Sequence, residues 1–161
     1  MMGFISSLFT RSEPVLSQAG ARDAVAIAAL HSHSFHRGWS EQEVEGLLID
    51  RRVVTDRAMV GRTMAGFIMS RLAADEAEIL SVAVGRGWQG RGIARKLLSL
   101  HLRRLAGLGA QTVFLEVGED NAPALQLYTR AGFHQVSRRE NYYPGSTGKA
   151  SAALVLRRDL T

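Results

Sequence analysis

The chain has 161 residues, 46% hydrophobic and 22% charged, with a formal net charge of +5 and no cysteine. These figures exclude a disordered chain, a disulfide-stapled scaffold and a thiolate nucleophile or metal site, and the length suits one domain with a full core. The basic residues come largely as scattered pairs, Arg51-Arg52, Arg103-Arg104, Arg138-Arg139 and Arg157-Arg158, so the charge reads as solvated surface rather than a contiguous nucleic-acid patch.

Residues 1–161 read as a single domain whose first twelve residues are a flexible lead-in, MMGFISSLFTRS, lacking the basic start of a signal peptide. Residues 14 to 17 suit a short strand, and Arg22 to Phe35, rich in alanine, suits a helix. A second helix opens after Trp39, with Ser40 as N-cap, Glu43 three residues on as in a capping box, and an apolar stripe of Val44, Leu47 and Leu48. Three strands follow: a short one at Ala58 to Gly61, a turn at Arg62-Thr63, then AGFIMSRL (65–72) and AEILSVAV (77–84). Gln89 to Leu108 is the clearest helix, with Ile93, Leu97, Leu98, Leu102 and Leu105 on one face and Gly107 and Gly109 at its end. TVFLEV (112–117) is a strand. A helix capped by Asn121 and led by Pro123 stops at Gly132, and His134 to Tyr143 and Ser151 to Arg157 close the chain as two strands. No apolar run approaches the roughly 18 residues that span a bilayer, so a cytoplasmic protein is expected, with no membrane partner.

The stretch SVAVGRGWQGRGIARKLL (81–98) holds two overlapping glycine patterns. Gly85, Gly87 and Gly90 have the spacing of a dinucleotide fingerprint, with Glu116 as the acidic residue that would hold the ribose, somewhat late. That fold places its fingerprint after the first strand, whereas here about half the chain precedes it. Gln89-Gly90-Arg91-Gly92-Ile93-Ala94 instead puts two glycines where a helix begins. Missing Cβ atoms let a phosphate approach the open N–H groups there, the helix dipole adds positive charge, and Arg86, Arg91, Arg95 and Lys96 add more. The chain order favours this diphosphate cradle; a ligand-free glycine turn is the plainer alternative. GSTGK (145–149) is not a Walker A loop, because Tyr stands at 143. HSHSFH places His31, His33 and His36 on different helix faces, so no metal site is expected.

At Gln89, Gly92 and Ala94 the chain resembles the GCN5-related N-acetyltransferases (GNAT), whose acetyl-CoA motif follows a strand. LEVGEDNAPALQLYTRAGF (115–133), the late Asn141-Tyr142-Tyr143-Pro144 and the early Trp39-Ser40-Glu41 narrow the resemblance to the RimI type, which acetylates the N-terminal alanine of protein eighteen of the small ribosomal subunit. The resemblance covers roughly residues 35 to 157. It departs from the pattern at Arg86, where the family often has proline, and in a longer segment between His36 and Trp39. It implies an α+β, three-layer fold: a mixed, mostly antiparallel sheet of about seven strands flanked by about four helices.

The resemblance also implies roles. Acetyl-CoA is the expected co-substrate, held by Val82, Ala83, Val84, Gln89, Gly90, Arg91, Gly92, Ile93, Ala94, Arg95 and Asn121. The end of the 77–84 strand should splay to offer backbone groups to pantetheine, the N–H of Val84 polarising the thioester oxygen. Glu116 is the expected base, acting through a water and with its pKa raised by burial. Tyr128 is the expected acid at the departing sulfur. Tyr142 and Tyr143 are candidates for a peptide groove, or for strand-end packing. The expected partner is the N-terminus of a ribosomal protein, with no direct nucleic-acid binding and a monomeric state. The alternatives are an acetyltransferase for another protein, lysine or small-molecule amine, and a non-catalytic CoA-binding or RNA-associated module.

Overall fold

The computed structural model describes residues 13–35, 37–144 and 150–160; residues 1–12, expected to be a flexible lead-in, His36, residues 145–149 and Thr161 lie outside the described residues. The strands are β1 (Val15–Gln18), β2 (Val53–Val60), β3 (Thr63–Ala73), β4 (Glu76–Val84), β5 (Thr112–Gly118), β6 (His134–Pro144) and β7 (Ala150–Asp159). They form one sheet in the order β1-β2-β3-β4-β5-β7-β6. Every neighbouring pair is antiparallel except β4 with β5. The helices are α1 (Ala24–Ser34), α2 (Glu41–Ile49), α3 (Ile93–Gly107) and α4 (Ala122–Arg130). This is the mixed, three-layer α+β architecture expected.

The two faces of the sheet carry separate cores. α3 and α4 bury Leu97, Leu98, Leu105 and Tyr128 against Ile68, Val113, Leu115 and Leu156. α1 and α2 bury Ile27 and Val44 against Phe67, Met69 and Ala83 on the opposite face. β3 runs between both layers, which is why its sequence is almost continuously apolar: Phe67 faces one core and Ile68 the other.

Local capping agrees with the residues. Ser40 Oγ accepts the Glu43 amide at 3.1 Å, and Asn121 Oδ1 accepts the Ala124 amide at 3.3 Å. Two boundaries differ from the expected ones by four residues or more. β2 starts five residues earlier than the expected Ala58, at Val53, because its central charges point inward to partners. Arg57 Nη1 meets Asp23 Oδ1 at 2.6 Å on the α1 side, while Asp56 turns to the α3 side. α3 starts four residues later than the expected Gln89, because Gly90 and Gly92 both have φ +77°, a left-handed conformation that no helix continues.

A buried polar network ties α3 to the sheet. Ser70 Oγ lies 2.7 Å from His101 Nε2, and His101 Nδ1 lies 2.8 Å from Asp56 Oδ2. Arg104 Nε donates to Asp56 Oδ1 at 2.8 Å. The Ser–His–Asp order is that of a hydrolase triad. All three residues are 0% exposed, so no substrate reaches the serine and the network is structural.

Candidate active site

The β4–β5 ladder pairs only Glu76↔Thr112, Ala77↔Val113 and Glu78↔Phe114. Beyond that step the two parallel strands part, so the sheet is open along 79–84 and 115–118. Each parted strand then leads into a helix of the same layer, β4 into α3 and β5 into α4. The helix starts converge on this opening.

The turn between β4 and α3 explains why a ligand fits there. A short 3-10 turn at Arg86–Trp88 is followed by Gly90 and Gly92 in the left-handed region. Gly92 is the N-cap of α3 and supplies no side-chain cap, and the first turn carries no acidic residue. The first amides of a helix lack intrahelical partners, so an anion is the natural complement. A Cβ on Gly90 would meet nothing within 4 Å, so its glycine answers the backbone angle and open space rather than packing.

A cavity of about 1090 Å³ runs from this turn along the groove between α3 and α4. Val82, Ala83 and Val84, the turn residues Gln89, Gly90 and Gly92, the α3 residues Ile93, Ala94 and Arg95, and Asn121 all line it. Tyr128 lines it too, its ring 7% exposed and edge-on to Phe133 at 5.6 Å. Burial pushes the Tyr128 hydroxyl up to about 12. Gln89 also braces the strand end, since its Nε2 donates to the Val84 carbonyl at 3.1 Å and fixes the end of β4 against the turn. Asn121 both caps α4 and faces the cavity.

Other expected residues lie elsewhere. Arg91 is not on the cavity wall; its guanidinium sits 4.9 Å over the Trp88 ring. Lys96 reaches Glu13 at 3.1 Å on the surface. Arg86 lines a smaller adjoining cavity of about 500 Å³ with His33 and Leu30. Of the four cations expected at the turn, Arg95 alone faces the main cavity, while Arg103, Arg130 and Arg158 extend the basic lining further along the groove. Gly92→Ala is expected to cost the free protein about 1 kcal/mol and to weaken binding of the expected diphosphate ligand roughly tenfold, since a side chain strains the left-handed turn. Calorimetric titration checks this; an unchanged Kd would take the phosphate away from residues 90–94.

Glu116 is outside the cavity. Its neighbours Leu115 and Val117 belong to the α3-side core, so alternation puts Glu116 on the opposite face of β5. The burial expected for it is absent: the residue is exposed, with 32% of its side-chain surface open. The physical reason is that α1 and α2 cover β2 to β4 but leave this face of β5 bare. Its Oε1 lies 3.7 Å from Arg139 Nη1, and the Arg139 guanidinium lies 5.0 Å over the ring of Tyr142. The opening between β4 and β5 thus separates a cavity on one face from a carboxylate and an aromatic on the other.

Sequence reasoning overlooked three residues around this opening. Phe35, 41% exposed, lines the main cavity from the end of α1. Glu78, exposed, stands on the same face as Glu116 at the last paired step of β4. Arg139 bridges Glu116 to Tyr142, and its place in an Arg-Arg pair gave no hint of that role. The His31 ring is sandwiched between Phe35 at 4.4 Å and Trp39 at 3.9 Å, and its Nδ1 accepts the Trp39 amide at 3.0 Å. Burial lowers its pKa, partly offset by Glu43. That histidine is a staple for the α1–α2 connection.

Comparison with known proteins agrees with this geometry. Residues 21–133 match the model of the acetyltransferase (GNAT) family. The chain is 31% identical over 154 residues to the ribosomal protein bS18-alanine N-acetyltransferase of Escherichia coli, covering 96% of each chain. It is 32% identical over 154 residues to the enzyme of the same name from Salmonella typhimurium, again covering 96% of each. Among solved structures, the ribosomal-protein-S18-alanine N-acetyltransferase from Escherichia coli superposes with a TM-score of 0.85 at 27% identity, over 92% of this chain and 94% of that one. Arabidopsis thaliana NAA60 in complex with acetyl-CoA has the same fold, with a TM-score of 0.78 at 18% identity over 91% of this chain and 98% of that one.

Proposed function

Because the chain belongs to the acetyltransferase (GNAT) family, we propose that it transfers an acetyl group from acetyl-CoA to the N-terminal amine of ribosomal protein bS18, at an alanine. The observation that carries this reading is the full-length relationship to enzymes of that name, 31% identical over 96% of both chains. The opening between β4 and β5 supplies the route, since it joins a cavity able to take a long anionic ligand to a carboxylate on the other face.

The residues fit coenzyme A. The amides at Gly90 to Ala94 receive its diphosphate, and the parted edge of Val82 to Val84 offers backbone groups to the pantetheine arm. Asn121 and Tyr128 bound the far wall. When bound, acetyl-CoA supplies a thioester carbonyl as the electrophile.

The chain's own groups then divide the proton work. Glu116 takes the proton that the amine loses as its nitrogen bonds to the acetyl carbon, directly or through a water. Tyr128 donates to the sulfur as the carbon–sulfur bond breaks. An N-terminal amine titrates near ~8 and a lysine near ~10.4, so about a tenth of the former but a very small fraction of the latter is neutral at pH 7. The α-amine therefore needs less help from a base than the lysine does.

The test pairs an Ala-Arg-initiated peptide with an N-blocked, lysine-containing twin, each incubated with acetyl-CoA and read by mass. The free N-terminus should gain one acetyl group and the blocked peptide none. Acetylation of the blocked twin at an equal rate would reassign the acceptor to lysine. No helix among the described residues is long and apolar enough to cross a membrane.

A further inference from the structure

A second polar group borders the opening, and the acid–base scheme gives it no role. Ser81 is 5% exposed, and its Oγ is closed to solvent with no hydrogen-bond partner among the described residues. Leaving a buried hydroxyl unpaired is destabilising, because it loses its bonds to water and gains none in return.

Its orientation comes from a bulge. Ser70 pairs with Ile79 and Met69 with Ser81, so Leu80 is an extra residue in β4. Ile79 belongs to the α3-side core, and regular alternation would send Ser81 the same way. The extra residue turns Ser81 to the face of Met69 and Ala83 instead. That is the face on which Glu116 stands. The last paired step of the two strands is Glu78↔Phe114, and Glu116 lies two residues further along β5. Ile79 and Leu115 form the first unpaired step; with Leu80 and Ser81 together counting as one step, Ser81 comes level with Glu116 across the second.

Resting on the acetyl-transfer reading above, we propose that Ser81 orients the acceptor amine by accepting one of its N–H groups. A neutral amine has two N–H groups and a lone pair. One N–H held at Ser81 and the departing proton directed at Glu116 leave the lone pair aimed through the opening, toward the edge of Val82 to Val84. The hydroxyl is covered in the free protein, so the incoming amine has to part the side chains above it. In return it gives the orphaned oxygen the partner it lacks.

Thr55 supplies the control. Its Oγ1 is also buried and has no partner among the described residues, in the same cross-strand row through Met69, but two strands away from the opening under α1 and α2. The experiment compares Ser81→Ala and Thr55→Val with wild type for melting temperature, CoA affinity by calorimetry, and kcat and KM for the Ala-initiated peptide. Both variants lose an orphaned hydroxyl and should melt at or above wild type. Thr55→Val should keep wild-type kinetics. Ser81→Ala should bind CoA normally while its kcat/KM for the peptide falls roughly tenfold, the effect of one hydrogen bond. A more stable but slower enzyme is the signature, because a merely structural serine would give stability without the loss. Wild-type kinetics in Ser81→Ala, equal loss of CoA affinity, or a melting point well below wild type each overturns the assignment. If wild type itself acetylates no N-terminal amine, the reading beneath the proposal falls and takes it along.

Discussion

Replacing Tyr128 by Phe should lower kcat about 100-fold while leaving CoA affinity and the melting temperature nearly unchanged. The ring is 7% exposed and packs edge-on against Phe133 at 5.6 Å, contacts that phenylalanine keeps. What is lost is the hydroxyl of a residue that lines the cavity, the group proposed above to donate to the departing sulfur. Burial pushes that hydroxyl up to about 12. A thiol titrates near ~8.5, so handing a proton from this phenol to a free thiolate is uphill by roughly 5 kcal/mol. On the function proposed above, Tyr128 would therefore act while the carbon–sulfur bond is breaking, as a neutral donor to growing negative charge. The sign for pH follows: a raised pKa keeps the hydroxyl protonated, so it adds no alkaline decline to kcat until the pH nears about 12. Equal losses of turnover and CoA affinity in Tyr128→Phe would make the tyrosine a packing residue.

Asp56→Ala should be the most destabilising of these changes, at about 3–5 kcal/mol, the range for removing one partner from a buried charged network. Asp56 accepts from His101 Nδ1 at 2.8 Å and from Arg104 Nε at 2.8 Å, with no exposure of its own. Alanine leaves the histidine ring and a guanidinium facing a cavity. For a chain of this size the melting temperature should drop by about 10 °C. The network sits behind the middle of α3, away from the turn at 90–94, so the surviving folded protein should still bind CoA at low temperature. A loss under about 1 kcal/mol would mean that water enters and takes the place of the carboxylate.

The same network shows what hydropathy patterns conceal. VVTDRAMV reads as a short strand because Asp56 and Arg57 stand at its centre, yet Asp56 is buried and Arg57 half-buried, each against a distant partner on its own face. Nothing in the local pattern names Asp23 or His101. His101 lies on the buried face of α3 among leucines, and only the fold shows that it has a carboxylate to meet. Where the information is local, the residues state it directly: Ser40 with Glu43, Asn121 with Ala124, and the two glycines whose left-handed angles make the turn before α3.

The site was legible in part for the same reason. The glycine turn and the strand before it are contiguous, and the structure gathers them around one cavity with Asn121 and Tyr128 from the next segment. Glu116 was singled out as a carboxylate, but it was expected to be buried, and the structure leaves it exposed. Its exposure depended on which strands α1 and α2 cover, a tertiary fact. Ser81 was hidden in an apolar run, and its face depends on a single bulge at Leu80 that no periodicity reveals.

The most direct test is a crystal structure of the protein with coenzyme A. The diphosphate should lie on the amides of Gly90 to Ala94, the pantetheine arm along Val82 to Val84, and the thiol at the opening beside Tyr128, with Glu116 across the sheet. Density for the cofactor in another cavity, or a diphosphate away from the start of α3, would contradict it.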